Sequence, residues 1–84
     1  MKKVMIFTNN TCPRCPGAKD LGARLEQRGI SVTSYDVGTA EGLAEATFHR
    51  VLATPAVLII ERETVIAAWR GVVPHEDEVL HGLA

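Results

Sequence analysis

The chain holds two cysteines, three positions apart, in Thr11-Cys12-Pro13-Arg14-Cys15-Pro16. A bridge between them would close so short a loop that it would restrict the unfolded chain little, so structural stapling is a poor reason for the spacing. Thiol–disulfide exchange is a better one: a thiolate at Cys12 attacks a disulfide, and a thiol one turn away at Cys15 resolves the mixed disulfide and releases the product. Metal binding is the competing chemistry, either zinc, which needs four ligands, or an iron–sulfur cluster shared by two chains through Cys12. His49, His75 and His81 offer further ligands, but their spacing forms no ligand motif.

The pair lies where a strand gives way to a helix. Lys3 to Thr8 is an apolar run stopped by Asn9-Asn10 and reads as a strand. From Pro13 to Arg28, Cys15, Ala18, Leu21, Gly22 and Leu25 recur at helical spacing, with Lys19, Arg24, Glu26 and Arg28 on the other side. Pro13 suits a first helical turn and Gly29 the position just past the end. Cys12 would then meet free backbone N–H groups and the positive end of the helix dipole, which favour the thiolate. Arg14 adds a positive charge and stabilises the reduced form. Pro13 and Pro16 have no N–H to offer, which leaves Arg14 and Cys15 as the local donors. Pro16, near the fourth helical position, removes one of the first intrahelical bonds.

The remaining chain predicts the elements that position this pair. Ile30 to Val37 alternates as a second strand, and Thr39 can cap a helix from Ala40 to Leu52. The expected buried side of that helix is Leu43, Ala44, Thr47, Phe48, Val51 and Leu52. Ala56–Ile60 and Thr64–Trp69 read as a hairpin closed at Glu61-Arg62-Glu63, and Glu76–Leu83 as a last helix with acids at its N-terminal end. The order β-α-β-α-β-β-α makes strands one and two parallel through a right-handed crossover and the last two antiparallel. The expected fold is α/β: a four-stranded mixed sheet flanked by three helices, as one domain over residues 1–84. If strand three runs antiparallel to strand one, its start meets the end of strand one. Thr54-Pro55 and the loop from Trp69 to Val73 then share one edge with the cysteines, and strand two brings Tyr35 and Asp36 there.

The helix-opening Cys12-Pro13-Arg14-Cys15, the Thr54-Pro55 before an apolar strand, and Gly71 after the fourth strand resemble the thioredoxin-fold family, over essentially the whole chain. The resemblance implies that Pro55 is cis and packs against the dithiol, and that the backbone of Thr54 pairs with a bound substrate peptide. Gly71, Val72 and Trp69, brought to the same edge by strand four, are further candidate substrate contacts. The chain departs from thioredoxins at Thr11, where they carry tryptophan, and at Ile6-Phe7, where they carry a buried acid. It departs from glutaredoxins at Asn10, where they often carry a basic residue, and at Val72-Val73-Pro74, where they carry the acidic pair that holds the glutathione amine. Trp69, Gly71 and Pro74 resemble the small glutaredoxin-like proteins that act as thioredoxins and supply electrons to ribonucleotide reductase. The resemblance thus implies an electron donor that binds no cofactor, reduces protein disulfides and is recharged by a thioredoxin-reductase-type flavoenzyme. A glutathione-dependent glutaredoxin is the alternative.

Other features bound the function. A net charge of −1 argues against nucleic acid or an anionic membrane as partner. Met1 to Phe7 begins like a signal peptide, but the apolar run stops at Thr8 and no small-residue cleavage site follows. No stretch is long enough to span a bilayer. The expectation is a soluble cytoplasmic monomer, in a compartment where a disulfide would be transient. Lys2-Lys3 reads as a solvated edge and His49 as a solvated helix residue, while His75 is expected near the site edge. Trp69 reads as core or as recognition surface, and Val72-Val73-Pro74 as a partner-facing lip or as packing.

Overall fold

The computed structural model describes residues 1–84. An inner strand of its sheet is β1 (Lys2–Thr8), buried from Val4 onward. On one side β1 pairs in parallel with β2 (Val32–Asp36), and on the other antiparallel with β3 (Ala56–Glu61). β3 pairs antiparallel with β4 (Thr64–Arg70), so the order across the sheet is β2-β1-β3-β4. Helices α1 (Cys15–Gln27), α2 (Ala40–Phe48) and α3 (Glu76–Leu83) complete the chain order βαβαββα expected above.

Strand alternation sorts the core into two halves. Val4, Ile6, Val57 and Ile59 point to the face covered by Ala18, Leu21 and Leu25 of α1 and Val79 of α3. Met5, Phe7, Leu58 and Ile60 point to the other face, met by Ala46 of α2 and by Val51 just after it. The stripe expected on α1, namely Cys15, Ala18, Leu21, Gly22 and Leu25, is its buried set. Gly29 has φ +80° and closes the helix as expected, with the Ile30 N–H on the Leu25 carbonyl at 3.1 Å.

α1 starts two residues later than the sequence predicts. Arg14 is its N-cap and Pro16 falls in its first two positions. The N–H that Pro16 lacks is one that a first turn leaves unpaired in any case, so no intrahelical bond is lost.

α2 departs further from expectation. It ends at Phe48, and its buried members are Gly42 and Ala46, while Leu43, Phe48 and Leu52 are 57%, 71% and 96% exposed. Two local bonds explain this. Thr39 caps the helix by accepting the Gly42 N–H at 3.0 Å. At the other end Arg50 takes φ +57° and the Val51 N–H reaches back to the Ala46 carbonyl at 2.7 Å. That turn brings Val51 into the core and points Leu52 to solvent. No glycine marks the stop, so the sequence reads on to Leu52.

Two smaller expectations are also corrected. The His49 side chain is 7% exposed rather than solvated, edge-on to Phe48 with ring centres 4.9 Å apart and 3.8 Å from Glu45. Lys2 is not simply solvated, because its Nζ donates to the last carbonyls of the chain, Leu83 at 3.4 Å and Ala84 at 3.2 Å. A cation there complements the negative end of α3.

Candidate functional site

The site is the edge of the sheet where β1 ends. Beyond Thr8 the chain turns, the Cys12 N–H bonds the Asn9 carbonyl at 3.1 Å, and the Cys15 N–H bonds the Cys12 carbonyl at 3.3 Å. These turns bring the two cysteines to a Cα separation of 5.4 Å, and they are joined as a disulfide. Their environments differ. Cys15 is 1% exposed, at the first position of α1 and in its buried stripe, whereas Cys12 is half-buried in the loop outside the helix. A partner sulfur can reach the outer one only.

One contact at the sulfurs has no signature in the sequence. The backbone N–H of Asn9 points at Cys15 Sγ across 3.4 Å. A main-chain donor is independent of the residue that carries it, so only the path of the loop reveals it.

Thr54-Pro55 arrives at the same edge through the β1–β3 register, which sets Phe7 opposite Ala56. The Thr54–Pro55 bond is cis, Pro55 is fully buried and Thr54 is half-buried. Gly71, just past β4, donates its N–H to the Pro55 carbonyl at 2.8 Å and accepts Arg14 Nη1 on its own carbonyl at 3.3 Å. Pro13 is exposed at the rim.

The β4–α3 segment divides its apolar residues between two tasks. Val72 is 46% exposed, Val73 packs against the core and Pro74 is buried. Trp69, opposite Val57, is half-buried on the α1/α3 face, its ring near Gly82 of α3. His75 is the exposed N-cap of α3, between Val73, which packs by Gly17 in the first turn of α1, and Glu76, which pairs with Arg28 at the C-terminal end of α1.

Beside the site lies a cavity of about 200 Å³ between α2 and the loop that follows it. Six of its eight lining residues are apolar, Leu43 and Leu52 among them, and Asn9 and Thr54 are the polar members. No lysine or arginine lines it. Nowhere in the chain do three His, Cys, Asp or Glu side chains come together in a way that could hold a metal ion, and no helix is long and apolar enough to cross a membrane.

Comparison with known proteins agrees with this geometry. No family model matches the chain. The fold is shared with thioredoxin-2 of the malaria parasite (TM-score 0.83, 16% identity, 99% of this chain and 81% of that one). It is shared also with thioredoxin 1 of Thermosipho africanus (TM-score 0.76, 21% identity, 96% and 89%). A probable thioredoxin of Archaeoglobus fulgidus is 30% identical over 80 residues, which span 94% of this chain and 82% of the relative. With that fold, that relative and a close, disulfide-bonded cysteine pair, the chain belongs to the thioredoxin family.

Proposed function

We propose that the protein is a small dithiol electron donor that reduces disulfides in partner proteins. The observation that carries this reading is the asymmetry of the pair: two bonded sulfurs, the outer one reachable and the inner one buried. In the reduced protein the Cys12 thiolate attacks a partner disulfide. One partner sulfur leaves as thiolate and takes a proton, and a mixed disulfide remains. Cys15 loses its proton and attacks Cys12 Sγ. The internal disulfide forms, and the second partner sulfur leaves and is protonated. The partner gains two electrons and two protons.

Thr54, Pro55, Gly71, Val72 and Trp69 are the surface against which a partner strand would lie. Pro13 and Arg14 form the turn between the sulfurs, where the sequence places them as tuners of the Cys12 thiolate. Electrons return from a thioredoxin-reductase-type flavoenzyme, and the protein itself binds no cofactor. The uncharged groove beside the site supports this reading over glutathione, whose carboxylates would find no cation there. We place its work in a reducing cytoplasm, as a monomer.

The test is turnover of insulin disulfides by wild-type protein and by Cys12→Ser. The wild type should be active with NADPH and thioredoxin reductase, and the variant inactive. Equal activity in the two would remove the idea. Activity only with glutathione and its reductase would move the protein to the glutaredoxins. Cys15→Ser should trap mixed disulfides with its partners.

A further inference from the structure

We propose that Arg14 is a positioning residue that governs partner docking through the β4–α3 loop rather than by placing its charge on the sulfur. The inference rests on the reading of this edge as a protein-disulfide site. Its basis is a pair of hydrogen bonds in series. Arg14 Nη1 donates to the Gly71 carbonyl at 3.3 Å, across 57 positions of sequence, and the Gly71 N–H donates to the Pro55 carbonyl at 2.8 Å. Gly71 is therefore gripped at both ends, and three segments far apart in the chain are fixed to one another.

The lever has a firm base. Arg14 is the N-cap of α1, and its carbonyl accepts the Ala18 N–H at 3.4 Å, so its backbone moves only with the helix. Gly71 suits the other end. Its φ is +78°, a conformation that side chains disfavour, and a Cβ there would stand 3.6 Å from Ala53.

What the grip positions is Val72. Val73, the next residue, turns inward toward Gly17 in the first turn of α1. Among the apolar residues of this segment Val72 alone is largely exposed, at 46%, next to the Gly71 that bonds Pro55. Without the Arg14 bond, Gly71 keeps only its link to Pro55, and Val72 is held from one side. A guanidinium suits the task because it presents several donors to one oxygen.

The test compares wild type, Arg14→Gln and Arg14→Lys in three measurements. Glutamine is neutral and too short to span the gap, whereas lysine reaches with one charged donor. An exposed charge-assisted bond is worth little, so Arg14→Gln should raise KM for insulin about threefold with kcat little changed. The midpoint of Cys12 thiolate titration should move by less than about 0.3 unit. Hydrogen exchange at the Gly71 amide should quicken about threefold in Arg14→Gln. Arg14→Lys should restore most of KM and of the exchange protection. A titration midpoint raised by about one unit with KM unchanged would give Arg14 a charge role and overturn the inference. Unchanged exchange at Gly71 would overturn it as well. A wild type that reduces no disulfide would instead defeat the functional reading, and the exchange comparison would still decide whether Arg14 holds the loop.

Discussion

On one face of the sheet α1 and α3 bury Ala18, Leu21, Leu25 and Val79 against Val4, Ile6, Val57 and Ile59. On the other α2 works alone, and it packs through Gly42 and Ala46 while Leu43 and Phe48 stay largely exposed. Both cavities of the molecule lie on this second face, one beside the disulfide and one of about 280 Å³ near Lys3, Glu45 and His49. The difference teaches where stability and accessibility come from. On the face with two helices the inner cysteine is buried in the stripe of α1, and the face with one leaves the flank of the site open and apolar.

The contrast between the faces is open to direct attack. Leu21→Ala removes a side chain that is 2% exposed, and should cost about 3 kcal/mol in urea unfolding. Leu43→Ala, at a side chain 57% exposed, should stay within about 0.5 kcal/mol. Equal losses would mean that α2 buries more than its exposure indicates.

Glycines sharpen the same comparison. A Cβ on Gly42 would come within 1.9 Å of the Asp36 carbonyl, which is backbone and cannot turn aside. A Cβ on Gly22 of α1 would meet side chains alone, the end of Ile6 at 2.9 Å and Val32 at 3.6 Å. Gly42→Ala should therefore cost about 2–3 kcal/mol and Gly22→Ala about 1 kcal/mol by the same melts. The reverse order would show that α2 can shift away from β2.

Thr39→Ala removes the cap of α2 and should cost about 1 kcal/mol, with faster hydrogen exchange in α2 while α1 is unaffected.

The smallest effect is alkaline. The Tyr35 phenol, stacked on Phe7 at 5.4 Å, titrates above its ordinary 10.0, because burial and then the Glu45 and Glu41 carboxylates of α2 oppose its charge. The unfolded chain therefore loses this proton first. The contribution is complete below pH 10 and fades as pH rises from there through the raised value of the folded protein. Melting temperature should fall across that window, and Tyr35→Phe should flatten the slope.

Most of the fold was legible because periodicity reports burial directly. The α1 stripe and the β3 run Ala56–Ile60 are entirely buried, and Thr39 caps α2 as read. What failed was α2, in its buried face, which is Gly42 and Ala46 rather than Leu43, Ala44, Thr47 and Phe48, and in its end. Periodicity carries on through Phe48 and Leu52, but Arg50 adopts a left-handed turn that nothing in its type announces. The site was legible in part for a related reason. Cys12, Cys15 and the Thr54-Pro55 pair are marked by residue type. The Asn9 amide on Cys15 and the Arg14–Gly71 bond involve main-chain groups that every residue carries, so only the folded path brings them to light.

Cys12 lies five residues beyond Phe7, Pro55 lies one before Ala56, and Phe7 faces Ala56 across the sheet. The ladder acts as a toothed rack between sulfur and proline, able to advance only by whole teeth. A single-tooth slip would throw Val57 and Ile59 to the opposite side of the sheet, so adding or deleting one residue within β1 or β3 breaks the rack rather than nudging the sulfur. The Arg62-Glu63 bend, two residues at positive φ between the paired Glu61 and Thr64, fixes the β3–β4 register in the same way at the opposite end of the rack from the sulfur.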